Sequence, residues 1–129
     1  MNLKFRGYDS KNKKFLDIEG LGFSQTGHID YILIEDPEAP KGFRFIDNFV
    51  ELAHIQIVQS TGLYDMHNRE IFIGDILQVW KSETTYMIKE VIDLNGACRV
   101  TTFDVLTHDL AKKSCIVGNI MENRHLLEG

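Results

Sequence analysis

The five histidines, His28, His54, His67, His108 and His125, are scattered, and no two stand at the spacing that lets neighbours on one helix or strand share a metal ion. His67-x-x-Glu70 chelates only on a helix, and its surroundings read as a turn; His108-Asp109 is a bare pair. Nucleophilic chemistry fares no better. Ser60 precedes Thr61-Gly62 without a nucleophile elbow, and neither Cys98 nor Cys115 has a histidine close in sequence. No glycine-rich loop opens a helix to cradle a phosphate. Asp65, Glu70 and Asp75 crowd around one turn, as a pair of acid–base carboxylates would. Carboxylates beside turn glycines such as Gly62 and Gly74 serve far more often as acceptors for backbone N–H groups. The expectation is a protein that is not an enzyme, with no catalytic residue, no metal and no cofactor.

Side chains suited to binding are better represented. Tyr8, Tyr64, Trp80 and Tyr86 stand beside polar residues in strand-like sequence and are of the types enriched at interface hot spots. They are the candidate contacts for a protein partner, although the ordinary fate of each is a half-buried strand aromatic. A nucleic-acid accessory role is the alternative. Lys4, Arg6, Lys11, Lys13 and Lys14 interleave with Tyr8 on one hairpin, with Lys81, Lys89 and Arg99 as extensions, and small β folds hold single strands by such basic and aromatic surfaces. The net charge of −5 and the acidic run of Asp30, Glu35, Asp36, Glu38, Asp47 and Glu51 oppose it. Homo-oligomerisation through a sheet edge is compatible with either reading.

A length of 129 residues fits one domain over 1–129, and 43% apolar against 26% charged residues supports a real core. No apolar stretch approaches the roughly 20 residues a membrane helix needs. Met1 to Arg6 enters alternation at once without an apolar signal region, so a cytoplasmic location is expected. Two lone cysteines fit unpaired structural thiols.

Period-two alternation dominates. Leu3 to Tyr8 and Lys14 to Ile18 read as a hairpin around the turn Asp9–Lys13, and Gly20 to Gly27 as a loose connection. His28 to Ile34 and Ile55 to Gln59 are strands, separated by a proline-containing loop and a helical turn capped by Asp47 or Asn48. Asp75 to Trp80, Tyr86 to Ile92, Ala97 to Phe103 and Cys115 to Gly118 are further strands, with Asn95-Gly96 as a hairpin turn. Thr107 to Lys112 and Asn123 to Glu128 read as short helical turns, the latter capped by Asn123 with Leu126 and Leu127 inward. The fold class is mainly β: a small barrel-like or twisted half-barrel, SH3-like in part, with an N-terminal hairpin and short helical turns.

The segment Thr61-Gly62-Leu63-Tyr64-Asp65, a turn, Glu70-Ile71-Phe72 and then Gly74-Asp75-Ile76 resembles the signature of the YopX family. Lys4-Phe5-Arg6-Gly7-Tyr8-Asp9 is similar to the family's opening, and Val117-Gly118-Asn119-Ile120-Met121-Glu122-Asn123 with Leu126-Leu127 to its closing stretch. His67-Asn68 stands where the family often has Asn-Gly, and Arg124 where it often has Pro. The resemblance implies a compact β-rich fold and a phage or prophage origin, hence a bacterial host as the setting and a host or phage protein as the expected partner, and no particular activity. Physically, Gly62, Asp65, Asn68, Glu70, Gly74 and Asp75 read as a structural turn, the glycines and Asn68 accepting positive φ and the carboxylates capping backbone N–H groups.

Overall fold

The structure, a computed structural model, describes residues 4–94, 97–100 and 105–128. The chain forms two compact units, residues 1–58 and 59–129, and passes from one to the other inside a single long strand.

The first unit is an antiparallel sheet. Its strands are β1 (Phe5–Asp9), β2 (Lys14–Phe23), β3 (Ile29–Glu35), β4 (Phe43–Ile46) and the first part of β5 (Ile55–Tyr64), in the spatial order β4-β3-β2-β1-β5. Alternation decides the two faces. Leu16, Ile32, Ile34 and Ile46 are buried on one face, with Ile18, Leu21, Ile55, Ile57 and Leu52 of helix α1 (Phe49–Leu52) packed against them. Cross-strand partners Ile18–Ile34, Leu21–Ile32 and Ile32–Ile46 make this core a row of directly opposed aliphatics. Gly7 belongs to the same packing, since a methyl group there would lie 2.9 Å from Ile55 Cγ2.

The β1–β2 turn is built by Asp9, whose carboxylate accepts the N–H groups of Lys11 (3.0 Å) and Asn12 (3.1 Å) and the Asn12 amide (2.8 Å). Burial works against ionising this carboxyl, but those hydrogen bonds, led by the Asn12 side chain, hold its pKa below the ordinary value. Asn48 caps α1, its Oδ1 accepting from Val50 and Glu51.

Two features of this unit differ from the sequence expectation. Residues 20–23 are not a loose connection: β2 continues to Phe23, shifting register between Ile18 and Gly20 and between Gly22 and Phe23. Gly22 is what makes this possible, because the Tyr31 ring lies across it, 2.0 Å from where a Cβ would stand. Second, β4 follows a turn at Gly42 (φ +79°) that puts Phe43 opposite Glu35, and its aromatic–basic sequence gives no clean alternation to read.

The second unit starts with the remainder of β5, paired to β6 (Glu70–Phe72). β7 (Asp75–Trp80) lies between β8 (Tyr86–Glu90) and β11 (Ser114–Asn119) in a three-stranded antiparallel sheet, and β9 (Ile92–Leu94) pairs β10 (Ala97–Arg99). α2 (His108–Lys112) is capped by Thr107, and a 3-10 turn covers Arg124–Leu127. Ile71, Leu77, Val79, Val91, Val100, Leu106 and Ala111 form the core. The expected strand from Tyr86 to Ile92 is divided at Val91, whose N–H and carbonyl turn to Asp75 and Gly74. Asn123 does not cap the last turn with its side chain; its Oδ1 accepts the Asn119 N–H instead, 3.2 Å away. The expected Asn95-Gly96 turn and the residues 101–103 of the expected strand lie outside the described residues. The fold is mainly β, as read from the sequence, and its sheets stay open, with no closed barrel among the described residues.

Candidate partner-binding groove

The turn that joins β5 to β6 is organised by one carboxylate. Asp65 is fully buried; Oδ1 accepts the N–H groups of His67 and Arg69, both at 2.9 Å, and Oδ2 accepts the Ile116 N–H at 3.0 Å. The Arg69 guanidinium sits 3.0 Å from the same carboxylate and also donates to the Ile116 carbonyl and to Cys115 Sγ. Burial alone raises the Asp65 pKa. The three backbone N–H groups and the Arg69 charge outweigh it and hold the carboxyl below the ordinary aspartate value. Asn68 takes φ +61°, Gly62 +75° and Gly74 +94°, while Asp75, also buried, accepts the Phe72 N–H at 2.8 Å. The Ser60 hydroxyl donates to Glu70.

This turn places Met66 beside β11, where its N–H donates to the Ser114 carbonyl at 2.9 Å. Trp80, at the end of β7, donates its N–H to the neighbouring Lys113 carbonyl. Between them is an open groove of about 560 Å³, lined by Met66, Trp80, Lys81, Ser82, Glu83 and Lys113. The β7–β8 loop that forms its rim is tied down, with the Lys81 and Ser82 N–H groups donating to the Thr85 carbonyl and Ser82 Oγ accepting from Thr84 and Thr85. Tyr86 lies directly opposite Trp80 and packs edge-on against it, ring centroids 5.0 Å apart. An indole wall and a thioether with lysines at the rim offer apolar contact and positive charge together.

Among the four aromatics expected to meet a partner, Trp80 and Tyr86 come together here. Tyr64 is exposed on β5 opposite Glu70 but does not line the groove. Tyr8 is a correction: it is only 7% exposed, its ring packed edge-on against Phe15 at 4.9 Å, because β1 is an interior strand of the sheet. Lys4, Lys11, Lys13 and Lys14 are exposed around the N-terminal hairpin, whereas Arg6 lies over the Phe15 ring at 4.3 Å. With Tyr8 buried, this hairpin lacks the stacking ring assigned to it. Sequence reasoning missed Met66, Ser82, Glu83 and Lys113 as groove residues. Lys113 is brought to Trp80 only by β7–β11 pairing, for which no local signal exists.

Among the described residues no three His, Cys, Asp or Glu side chains converge as a metal site, and no helix is long and apolar enough to cross a membrane. Cys98 and Cys115 are unpaired; burial, with the Asp93 charge, raises the Cys98 thiol above its ordinary value.

Open antiparallel sheets carrying the signature turn define the chain as a mainly-β protein of one recognisable lineage. It belongs to the YopX protein family, which it matches over residues 4–128. Among solved structures it is similar to protein EF1440 from Enterococcus faecalis, with 25% identity and a TM-score of 0.70 over 98% of this chain and 99% of that one. It also shares the fold of protein yopX from Bacillus subtilis, with 16% identity and a TM-score of 0.59 over 100% of this chain and 98% of that one. No curated protein matches the sequence.

Proposed function

We propose that this protein is a non-enzymatic interaction module, of phage or prophage origin and acting in the cytoplasm of a bacterial host, that holds a segment of another protein in the Trp80 groove. The observation that carries the reading is the Trp80 wall beside Met66 with Lys81 and Lys113 on the rim of an open groove. Tryptophan in such a setting is the residue type most enriched at binding hot spots. The lysines select the partner's chemistry: an apolar side chain next to carboxylates. Glu83 on the same rim disfavours a uniformly anionic ligand, which weighs against a phosphate backbone.

Capture from bacterial lysate by the tagged protein, with and without nuclease, tests the proposal. Lys81→Glu/Lys113→Glu serves as the comparison bait, since both side chains are exposed and their reversal leaves the core intact. A protein retained after nuclease treatment and lost from the reversed bait supports the reading. Recovery that disappears with nuclease transfers the weight to the lysines of the N-terminal hairpin and to nucleic acid.

A further inference from the structure

Resting on the Trp80 groove as a binding site, we infer that Asp65 and Arg69 are its positioning residues: they hold Met66, the movable side of the groove, in place beside Trp80, though neither lines it. The two sides are anchored at consecutive carbonyls. The Trp80 N–H donates to Lys113 and the Met66 N–H to Ser114, each at 2.9 Å. Their supports differ. Trp80 ends a strand flanked on both sides, by β11 up to the Val79–Ser114 pair and by β8 up to Tyr86, whose ring packs against the indole. Met66 lies outside the strands, in the turn between β5 and β6. A residue with no ladder on either side keeps its place through the local bonds of its turn, and such segments open more readily than a sheet.

Those bonds converge on Asp65, the residue just before Met66. Its buried carboxylate accepts the Ile116 N–H at 3.0 Å, two residues along β11 from the Ser114 carbonyl that receives Met66. Arg69 bridges the same gap from the far end of the turn. Its Nε donates to Asp65 Oδ2 at 3.2 Å, and a terminal nitrogen reaches both Asp65 Oδ2 at 3.0 Å and the Ile116 carbonyl at 2.9 Å. Lys112 Nζ adds a further tie, donating to Asn68 Oδ1 at 2.9 Å. The turn is thus bound to residues 112–116, the stretch that also carries Lys113 of the rim, and Met66 sits inside the bound segment. Fixing Met66 before a partner arrives removes the cost of ordering it on binding. Arg69 acts here through geometry more than through strength. Half exposed, it adds little to global stability, yet its planar fork meets the turn and β11 at once, which a lysine ammonium does not reproduce.

Amide hydrogen exchange of the full chain, read by NMR, tests this with an internal control. In Arg69→Met the Met66 N–H is expected to exchange several-fold faster than in the wild type, while the Trp80 N–H, bonded to the neighbouring carbonyl, keeps its rate. Affinity for the protein captured from lysate should fall several-fold in parallel, with the thermal midpoint nearly unchanged. Arg69→Lys, which keeps the charge beside Asp65, should recover part of both losses. Met66 exchange that is unchanged, or accelerated equally at Trp80, overturns the positioning role, as does faster Met66 exchange with undiminished affinity. Trp80 emission unmoved by the partner in the wild type overturns the groove reading and this inference with it; the exchange rates, measured without partner, keep the two failures apart.

Discussion

At the scale of the residue, Asp65 concentrates more structural consequence than any other side chain near the groove. Its carboxylate satisfies three backbone N–H groups and Arg69 and so ties the β5–β6 turn to β11. Asp65→Asn keeps the size but removes the charge and turns an NH2 toward groups that themselves donate. The expected loss is about 2 kcal/mol, from hydrogen bonds to a charged, buried acceptor, the half-exposed Arg69 adding little. The sign with pH is fixed by the depressed pKa. The folded state binds its proton more weakly than the unfolded chain, so the stabilisation is fully present above the unfolded value and is lost as pH falls through the folded one. Thermal melts of the wild type should therefore drop steeply below about pH 4, and those of Asp65→Asn should start lower and fall less. Equal acid slopes in the two proteins would contradict this role.

Elements depend on where a side chain is absent as much as on where one is present. Gly20 and Gly22 both lie in β2, yet only Gly22 has an aromatic ring where its Cβ would be; at Gly20 the nearest atom, Leu33 Cβ, is 3.7 Å away. Gly22→Ala should destabilise by about 1–3 kcal/mol, the usual cost of overpacking, with Tyr31 displaced, while Gly20→Ala stays near wild type in a denaturant titration. The contrast explains what could be read from sequence. Alternating strands such as Asp75–Trp80, the hairpin turn at Asp9 and the helical turns after Asn48 and Thr107 announce themselves through local chemistry. The signature turn was legible too, since Gly62, Asn68 and Gly74 adopt the positive φ their types permit. Illegible were features created by partners distant in the chain. Gly22 reads as a loop residue until Tyr31 covers it, and Tyr8 reads as half exposed until strands on both sides enclose β1. Gly118 is similar, leaving room for Asn123, whose Oδ1 would lie 2.6 Å from an added Cβ. Met66 and Lys113 likewise become groove residues only when β11 pairs with β7.

For the whole molecule, the proposed binding groove has as its wall Trp80, the single tryptophan of the chain. Its emission therefore reports on that groove without competing signal. Partner binding in this groove is tested by titrating wild-type protein with the captured partner and following Trp80 fluorescence. A saturable change in emission is expected, which Lys81→Glu/Lys113→Glu shifts to at least tenfold higher partner concentration, about 1.4 kcal/mol. Binding of the partner with Trp80 emission unaltered, and with equal affinity for the charge-reversed protein, would contradict it.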